Sequence, residues 1–312
     1  MQRSLSRYYS LGAMPEAHPF ISIVAPIRNE EATIERLTRS LLDQDYPHDR
    51  YEILMADGGS SDRTLARLAS VDIEARVRVL ANPGRTAPAA LNVAIAEAKG
   101  DIVTRVDGHS YVAPDYLSRI VAVMEETGES VVGGPVRMVA DTPFRRALVV
   151  ALYSKIAVGA VPYRTLKHRA YVESLQTGSF KKAVLAEVGP FDEALAVVED
   201  LDMNTRIRKA GYELLLDPSI TFWYLPRPSL RALWRQIYAV GLVKARILRK
   251  HPDIFKWKYI LPSSFVCALA GALVLALSGA LAGLAFLAIY AVVVALFALA
   301  HVPSLGAGAA RL

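Results

Sequence analysis

Near the middle of the chain the sequence reads VVEDLD (197–202), setting Glu199, Asp200 and Asp202 within four positions. Two chemistries suit such a cluster. Acids at a helix start complement the positive end of the macrodipole, and Arg206, Arg208, Lys209 and then Gly211 supply a matching C-terminal half and cap. Met203 and Ile207, spaced i and i+4, form a buried stripe, so the pattern predicts a helix over about 200–210. Alternatively, one of the carboxylates takes the proton of an attacking hydroxyl as a general base. The local pattern leaves both open.

A second constellation lies in RVDGHS (105–110). Asp107 and His109 are two apart, so on an extended segment both point to one side. A carboxylate suits Mg²⁺ or Mn²⁺, and Mn²⁺ also tolerates an imidazole. Asp-Gly alone is equally an ordinary turn.

The elements that must hold these residues alternate. FISIVAP (20–26), YEILMAD (51–57), RVRVLAN (76–82) and DIVTRVD (101–107) read as strands, each followed by a helical pattern, the last beginning near Pro114. Strand–helix alternation predicts βαβ units and a parallel sheet. Ligands of such sheets lie beyond the carboxyl ends of the strands. There the sequence places Arg28, Asn29, Glu30, Asp57, Arg85, Asp107 and His109. No GxGxxG follows the first strand and no GxxxxGK[ST] occurs, which argues against a dinucleotide site and a phosphate-binding loop. Oxygen-rich strand ends suit a metal-bound, phosphate-bearing ligand instead.

The remaining composition points to a membrane. The 312 residues are 53% hydrophobic, but the excess is concentrated: 259–310 contains no Lys, Arg, Asp or Glu. That tract exceeds twice the ~20 residues of one spanning helix, and two spans, about 262–281 and 284–302, are predicted. Residues 1–18 carry Arg3 and Arg7 but no apolar segment of a secretory signal, so the polar region is expected in the cytoplasm. The net charge of +6 comes from 36 basic and 30 acidic residues. Its excess crowds 227–258, interleaved with Leu233, Trp234, Ile237, Tyr238, Leu242, Ile247 and Leu248, where Asp253 is the sole acid. A basic amphipathic stretch beside an apolar tract reads as a surface-lying element on anionic lipid, with this flank cytoplasmic, rather than as a nucleic-acid site. The only cysteine, Cys267, permits no intrachain disulfide and no cysteine metal cluster.

In order along the chain, these segments resemble family 2 glycosyltransferases of the GT-A fold. VAPIRNE (24–30, with Pro26, Arg28, Asn29 and Glu30) resembles the first-strand motif that lines the nucleotide. MADGGSSD (55–62) resembles the second, whose Asp, here Asp57, faces uracil. NPGRTAPAALNVAIAEAKGD (82–101) is similar to the helix completing the nucleotide site, with Gly84, Arg85 and Asn92 in matching places. VDGH resembles the metal-binding D-x-D position, with His109 in place of the second Asp. QTGSF (176–180, with Gly178 and Ser179) resembles the loop between donor sugar and acceptor. FDEALAVVEDLDMNTRIRKAGY (191–212) resembles the segment that supplies the base, which places Asp200 in that role, Glu199 as its support, and Asp202 as a helix-start acid near substrate. LWRQIYAVGLVKAR (233–246) loosely resembles the Q-x-x-R-W region of membrane glycan synthases, with Gln236 in a reordered motif.

The subgroup this resembles is the bacterial exopolysaccharide enzymes of succinoglycan type. The resemblance implies an α/β GT-A domain over 19–226, after an extension over 1–18. A membrane-surface region (227–258) and a transmembrane hairpin (259–312) would follow. It implies an inverting transferase at the bacterial cytoplasmic membrane. The enzyme would use a UDP-sugar and Mn²⁺ or Mg²⁺ and act on a saccharide carried by polyprenyl diphosphate. Two other readings compete: a synthase of polyprenyl-phosphate sugars, whose acceptor phosphate needs no strong base, and a non-catalytic membrane adaptor that keeps the fold.

Overall fold

The computed structural model describes residues 18–72, 76–154 and 162–306, so nearly all of the expected N-terminal extension lies outside the described residues. Its first half is regular. Strand β1 (Ile21–Ile27) leads to helix α1 (Ile34–Leu42), β2 (Tyr51–Asp57) to α2 (Thr64–Ala69), and β3 (Val77–Ala81) to α3 (Ala87–Glu97). Helix α3 is capped by Thr86, whose hydroxyl accepts from Ala89 N, with a proline in its first turn. After β4 (Ile102–Arg105) come β5 (Ser110–Val112) and α4 (Tyr116–Thr127). β1 pairs in parallel with both β2 and β4, and β2 with β3. The run predicted to 107 leaves the ladder after Arg105, and Val106 N still reaches Val24 O at 3.1 Å.

The second half is built from short pieces. In chain order these are β6 (Val131–Gly133), β7 (Val136–Met138), α5 (Pro143–Tyr153), α6 (Pro162–Thr165), β8 (Ala170–Tyr171), β9 (Ser179–Lys181), α7 (Lys182–Val188), α8 (Glu199–Lys209), β10 (Leu215–Leu216) and β11 (Phe222–Tyr224). The main sheet runs β3-β2-β1-β4-β9-β6-β10-β8, and a small sheet runs β5-β11-β7. β9 is antiparallel to both β4 and β6, so the sheet is mixed beyond its four parallel strands.

Two apolar layers cover the sheet. One contains Ile21, Ile23, Ile53, Leu37 and Ile120; the other contains Val24, Leu54, Leu91, Phe180, Met203 and Ile207. Alternate residues of β1 and β2 feed opposite layers, as the two-residue period of a strand requires. Met203 and Ile207, the stripe read from the sequence, carry α8 into the second layer.

Three long helices end the described chain: α9 (Leu230–Lys250), α10 (Leu261–Leu277) and α11 (Leu281–Gly306). Gly283 lets α11 close on α10, since a Cβ there would come within 2.5 Å of Ala272 O. The stretch Leu281–Ala300 is long and apolar enough to cross a membrane. At 17 residues, α10 rises only about 25 Å, short of the ~30 Å hydrocarbon core. By length and composition, therefore, one helix meets the criterion where two spans were predicted.

Candidate active site

Two clusters meet at the carboxyl ends of β1, β2 and β4. The first joins three loops. Asn29, in a left-handed conformation (φ 55°), receives Ser61 N on its side-chain oxygen at 2.8 Å and donates its own N–H to Ser60 Oγ at 2.9 Å. Asp57 accepts from Gly59 N and Ser60 N, each at 3.1 Å, and from Ser60 Oγ at 2.6 Å. Such a turn is what Asp followed by Gly-Gly-Ser favours. Arg28 donates to Arg85 O at 3.0 Å, and Arg85 is itself left-handed (φ 58°). Arg28, Asn29, Gly84 and Arg85 are exposed; Pro26 and Asp57 are half-buried.

Glu30 ties this cluster to the next. Its N–H donates to Thr64 Oγ1 at 2.7 Å, its Oε2 accepts from Thr33 at 3.0 Å, and its Oε1 lies 3.1 Å from His109 Nδ1. Gly108 makes this approach possible: a Cβ there would sit 2.9 Å from Glu30 Cγ and 3.0 Å from Pro26 O. His109 also stacks edge-on against Tyr224, with centroids 4.8 Å apart. Burial pushes the Tyr224 hydroxyl up, and Gln236 of α9 hydrogen-bonds to it.

The second cluster is buried and charged. Arg105, at the end of β4, donates through Nε to Asp107 at 2.8 Å and through Nη2 to Glu199 at 2.6 Å. All three residues are under 10% exposed. Burial alone would lower the arginine's pKa, but Asp107 and Glu199 outweigh it and hold the pKa raised. Removing one partner from such a group costs about 3–5 kcal/mol, because it strands a charge.

Helix α8 delivers its acids through an unusual entry. Val198 adopts a left-handed conformation (φ 57°, ψ 26°), which a β-branched residue resists, and no side chain caps the helix. The turn fans the carboxylates apart. Glu199 goes to Arg105. Asp202 is fully buried and meets Arg206 Nε at 2.9 Å and, at 2.8 Å each, Lys250 Nζ and His251 Nε2 from the end of α9. Asp200 alone of the three makes no ion pair among the described residues; its Oδ1 accepts only the N–H of Leu201, at 2.9 Å. Burial, then the neighbouring Glu199 charge, pushes Asp200 up to about 7 against the pull of Arg105. It lines a crevice with Gly178, Gln176 and Arg105 that has room, at about 10 Å³, for no more than one water.

Several of the expected site residues are engaged by the protein itself. Asp202, expected near substrate, is buried at the end of α9: a carboxylate held by Arg206, Lys250 and a ring nitrogen of His251 has its charge balanced there. Asn92, expected to line a nucleotide, instead braces the segment before α8, donating to Phe191 O and Glu193 and accepting from Phe191 N at 2.8 Å. Ser179 is buried in β9 and pairs with Thr104 Oγ1 at 2.7 Å. Arg105, Tyr224, Lys250 and His251 were not anticipated. An arginine inside an apolar strand, two residues before an acid, was the available signal for the first.

Among the described residues, no three His, Asp or Glu side chains converge as a ready metal cage. Asp107 and His109 nevertheless fit a divalent cation. Asp107 spends only Oδ1 on Arg105 and His109 only Nδ1 on Glu30, leaving one oxygen and one ring nitrogen without a partner among the described residues. Magnesium-type sites commonly combine one or two protein ligands with substrate phosphates and water.

The model for glycosyl transferase family 2 matches residues 22–184. The succinoglycan biosynthesis protein ExoA of Rhizobium meliloti (strain 1021) is 32% identical over 256 residues, covering 80% of this chain and 77% of its own. A dolichyl N-acetyl-alpha-D-glucosaminyl phosphate 3-beta-D-2,3-diacetamido-2,3-dideoxy-beta-D-glucuronosyltransferase of Methanococcus voltae is 26% identical and covers 79% of each chain. Among solved structures, the mannosyltransferase PcManGT of Pyrobaculum calidifontis, in complex with GDP-Man and Mn²⁺, gives a TM-score of 0.61 at 21% identity, over 93% of this chain and 84% of that one. The UDP complex of S. aureus TarS 1-349 gives 0.53 at 19% identity over 72% of this chain, which spans 65% of that chain's length.

Proposed function

The chain belongs to glycosyl transferase family 2 and has a GT-A fold, and from that premise we propose that this glycosyltransferase of glycan assembly moves a sugar, with inversion, from a UDP-sugar to a saccharide carried on polyprenyl diphosphate. The observation that carries the reading is the sorting of the α8 acids. Glu199 and Asp202 are consumed by ion pairs, whereas Asp200 faces the cleft without one and is held near neutrality. A base works best with a pKa near the working pH. Asp200 accepts the proton of the acceptor hydroxyl as its oxygen attacks the anomeric carbon, and the bond to the diphosphate breaks on the opposite face.

The loop cluster of Arg28, Asn29, Asp57, Gly84 and Arg85 receives the nucleotide, and Gly178 borders the donor sugar. Asp107 and His109 would hold Mn²⁺ or Mg²⁺, which when bound supplies charge stabilisation for the departing diphosphate. Arg105 holds Asp107 and Glu199 in register across the cleft. UDP as the donor nucleotide is supported by the Asp57 turn and by the UDP complex of TarS; GDP-Man in PcManGT makes a guanosine donor the alternative to test.

Membrane attachment at the bacterial cytoplasmic membrane is supported by α9 and its continuation. Leu230, Trp234, Ile237, Tyr238, Leu242 and Trp257 are all more than half exposed, beside Arg231, Arg235, Arg246 and Arg249. An apolar face rimmed by cations suits an anionic lipid surface next to an apolar anchor.

The test is a panel of UDP-sugars and GDP-mannose, given to the full chain in detergent with lipid-linked acceptor and Mn²⁺, with the product anomer assigned by NMR. Transfer from one UDP-sugar with inversion is expected, lost in chelator and in Asp107→Asn. A retained anomer, or transfer that persists in chelator, overturns the corresponding part.

A further inference from the structure

Arg164, in α6, is half-buried, and part of its guanidinium lacks the partners its chemistry demands. Its Nε and Nη1 atoms are shut off from solvent and donate to no acceptor among the described residues. It forms no ion pair there either; it hydrogen-bonds to the Tyr163 hydroxyl, and the centre of that ring lies 5.4 Å from the guanidinium carbon. Its charge acts on the hydroxyls of Tyr153, Tyr163 and Tyr224. Tyr224 is the residue stacked on His109, and α6 packs on β7, the strand that pairs with β11 beside Tyr224, so Arg164 belongs to the rim of the proposed transfer site. Of the carboxylates of that site, Asp107 and Glu199 are bound to Arg105, and Asp200 forms no ion pair among the described residues.

Enclosing N–H donors without acceptors costs about 1–3 kcal/mol each, more when the group is charged. A fold keeps such a group where a ligand completes it. The guanidinium fork matches phosphate oxygens, which makes a phosphate the acceptor these donors suit. We infer that Arg164 is the receptor for a diphosphate oxygen of a substrate, an inference resting on the transferase reading above. Two substrates carry that group: the nucleotide-sugar donor and the prenyl-linked acceptor.

Calorimetric titration of the full chain in detergent separates them. Wild type, Arg164→Lys and Arg164→Gln are titrated with UDP plus Mn²⁺ and, separately, with farnesyl diphosphate, with uridine and farnesol as diphosphate-free controls. Arg164→Gln is expected to lose at least about tenfold in affinity for one diphosphate, with a smaller loss in Arg164→Lys and no change for the controls. A loss confined to UDP assigns Arg164 to the leaving group; a loss confined to farnesyl diphosphate assigns it to the acceptor. Unchanged affinity for both probes, with or without a lower melting temperature, overturns the inference. Wild type that binds UDP but not farnesyl diphosphate sinks the lipid-acceptor reading and leaves Arg164 to be judged on UDP. Wild type that binds neither sinks both.

Discussion

The two ends of the cleft are held by different forces. Around Asn29, Asp57 and Arg85, loops are fastened mainly by neutral N–H and hydroxyl donors, and most of the residues stand in water. Around Arg105, Asp107, Glu199 and Asp202, side chains are buried and fastened by full charges. A solvated polar turn tolerates small change, because water replaces what is lost. A buried charge network does not, because nothing replaces the missing partner. The contrast separates shape, supplied by the first end, from electrostatic tuning, supplied by the second.

The sharpest break of that contrast is Asp200→Asn. It keeps the acceptor for Leu201 N and removes the proposed base, so transfer should fall about 10²–10⁴-fold while UDP affinity holds. In the wild type, kcat/KM should rise with pH and level off above about 7, the value to which burial and Glu199 push Asp200. Stability should move oppositely. A carboxyl whose folded pKa is raised contributes stability below its ordinary value, near 4, and loses it as pH rises through 7. The wild type should therefore lose melting temperature relative to Asp200→Asn between those limits. A flat difference would remove the tuned-base account.

Asp202→Asn tests the same network where no chemistry is proposed. It removes the charged partner of Arg206, Lys250 and His251 but leaves Lys250 its bond to Asp192 and Arg206 its bonds to Val188 O and Pro190 O, so about 1.5–3 kcal/mol of unfolding free energy should be lost, measured by denaturant titration at neutral pH. The Lys250 and His251 hydrogen bonds and the Arg206 charge hold the Asp202 pKa below its usual range, although burial opposes them. The wild type should accordingly surrender this advantage as pH falls through the depressed value. A variant as stable as wild type would show the buried end to be no more demanding than the exposed one.

At that exposed end, Asp57→Asn keeps the turn but weakens its acceptors from charged to neutral. UDP affinity should drop by about tenfold, or ~1.4 kcal/mol, with little change in melting temperature. Smallest of all should be the effect on catalytic chemistry of deleting 259–312. That fragment should still bind UDP and adhere to anionic vesicles, releasing as the Debye length shortens from about 30 Å at 0.01 M salt to about 8 Å at 0.15 M. Indifference to vesicles at low salt would refute the lipid-facing role of α9.

The same division governs what the sequence made legible. β1 to β4 were readable to within two residues, because each is an apolar run followed by a helical period. The pieces from β6 to β11 were not, since strands of two or three residues leave no period to detect. The strand-end residues Arg28, Asp57 and Asp107 follow from parallel topology alone. The partners of the α8 acids do not: Arg105 lies 94 positions from Glu199, and His251 lies 49 from Asp202. Asp202 was therefore read from its helix position, which said nothing of the α9 cations that claim it.

One consequence follows for where the chain can be cut. Val198 keeps its left-handed conformation in a small apolar cluster in which Val197, Val198 and Leu201 pack with Leu195 against Val243 and Ile247 of α9. The last turn of α9 thus splints the turn that aims Asp200. A soluble fragment ending near Pro226 looks natural from the strand pattern, yet it discards the splint, bares four apolar side chains and leaves Asp202 without Lys250 and His251. A fragment carried past Ile254 keeps both. Helix α9 is part of the unit that holds Asp200 in place, and the workable boundary lies at its far end.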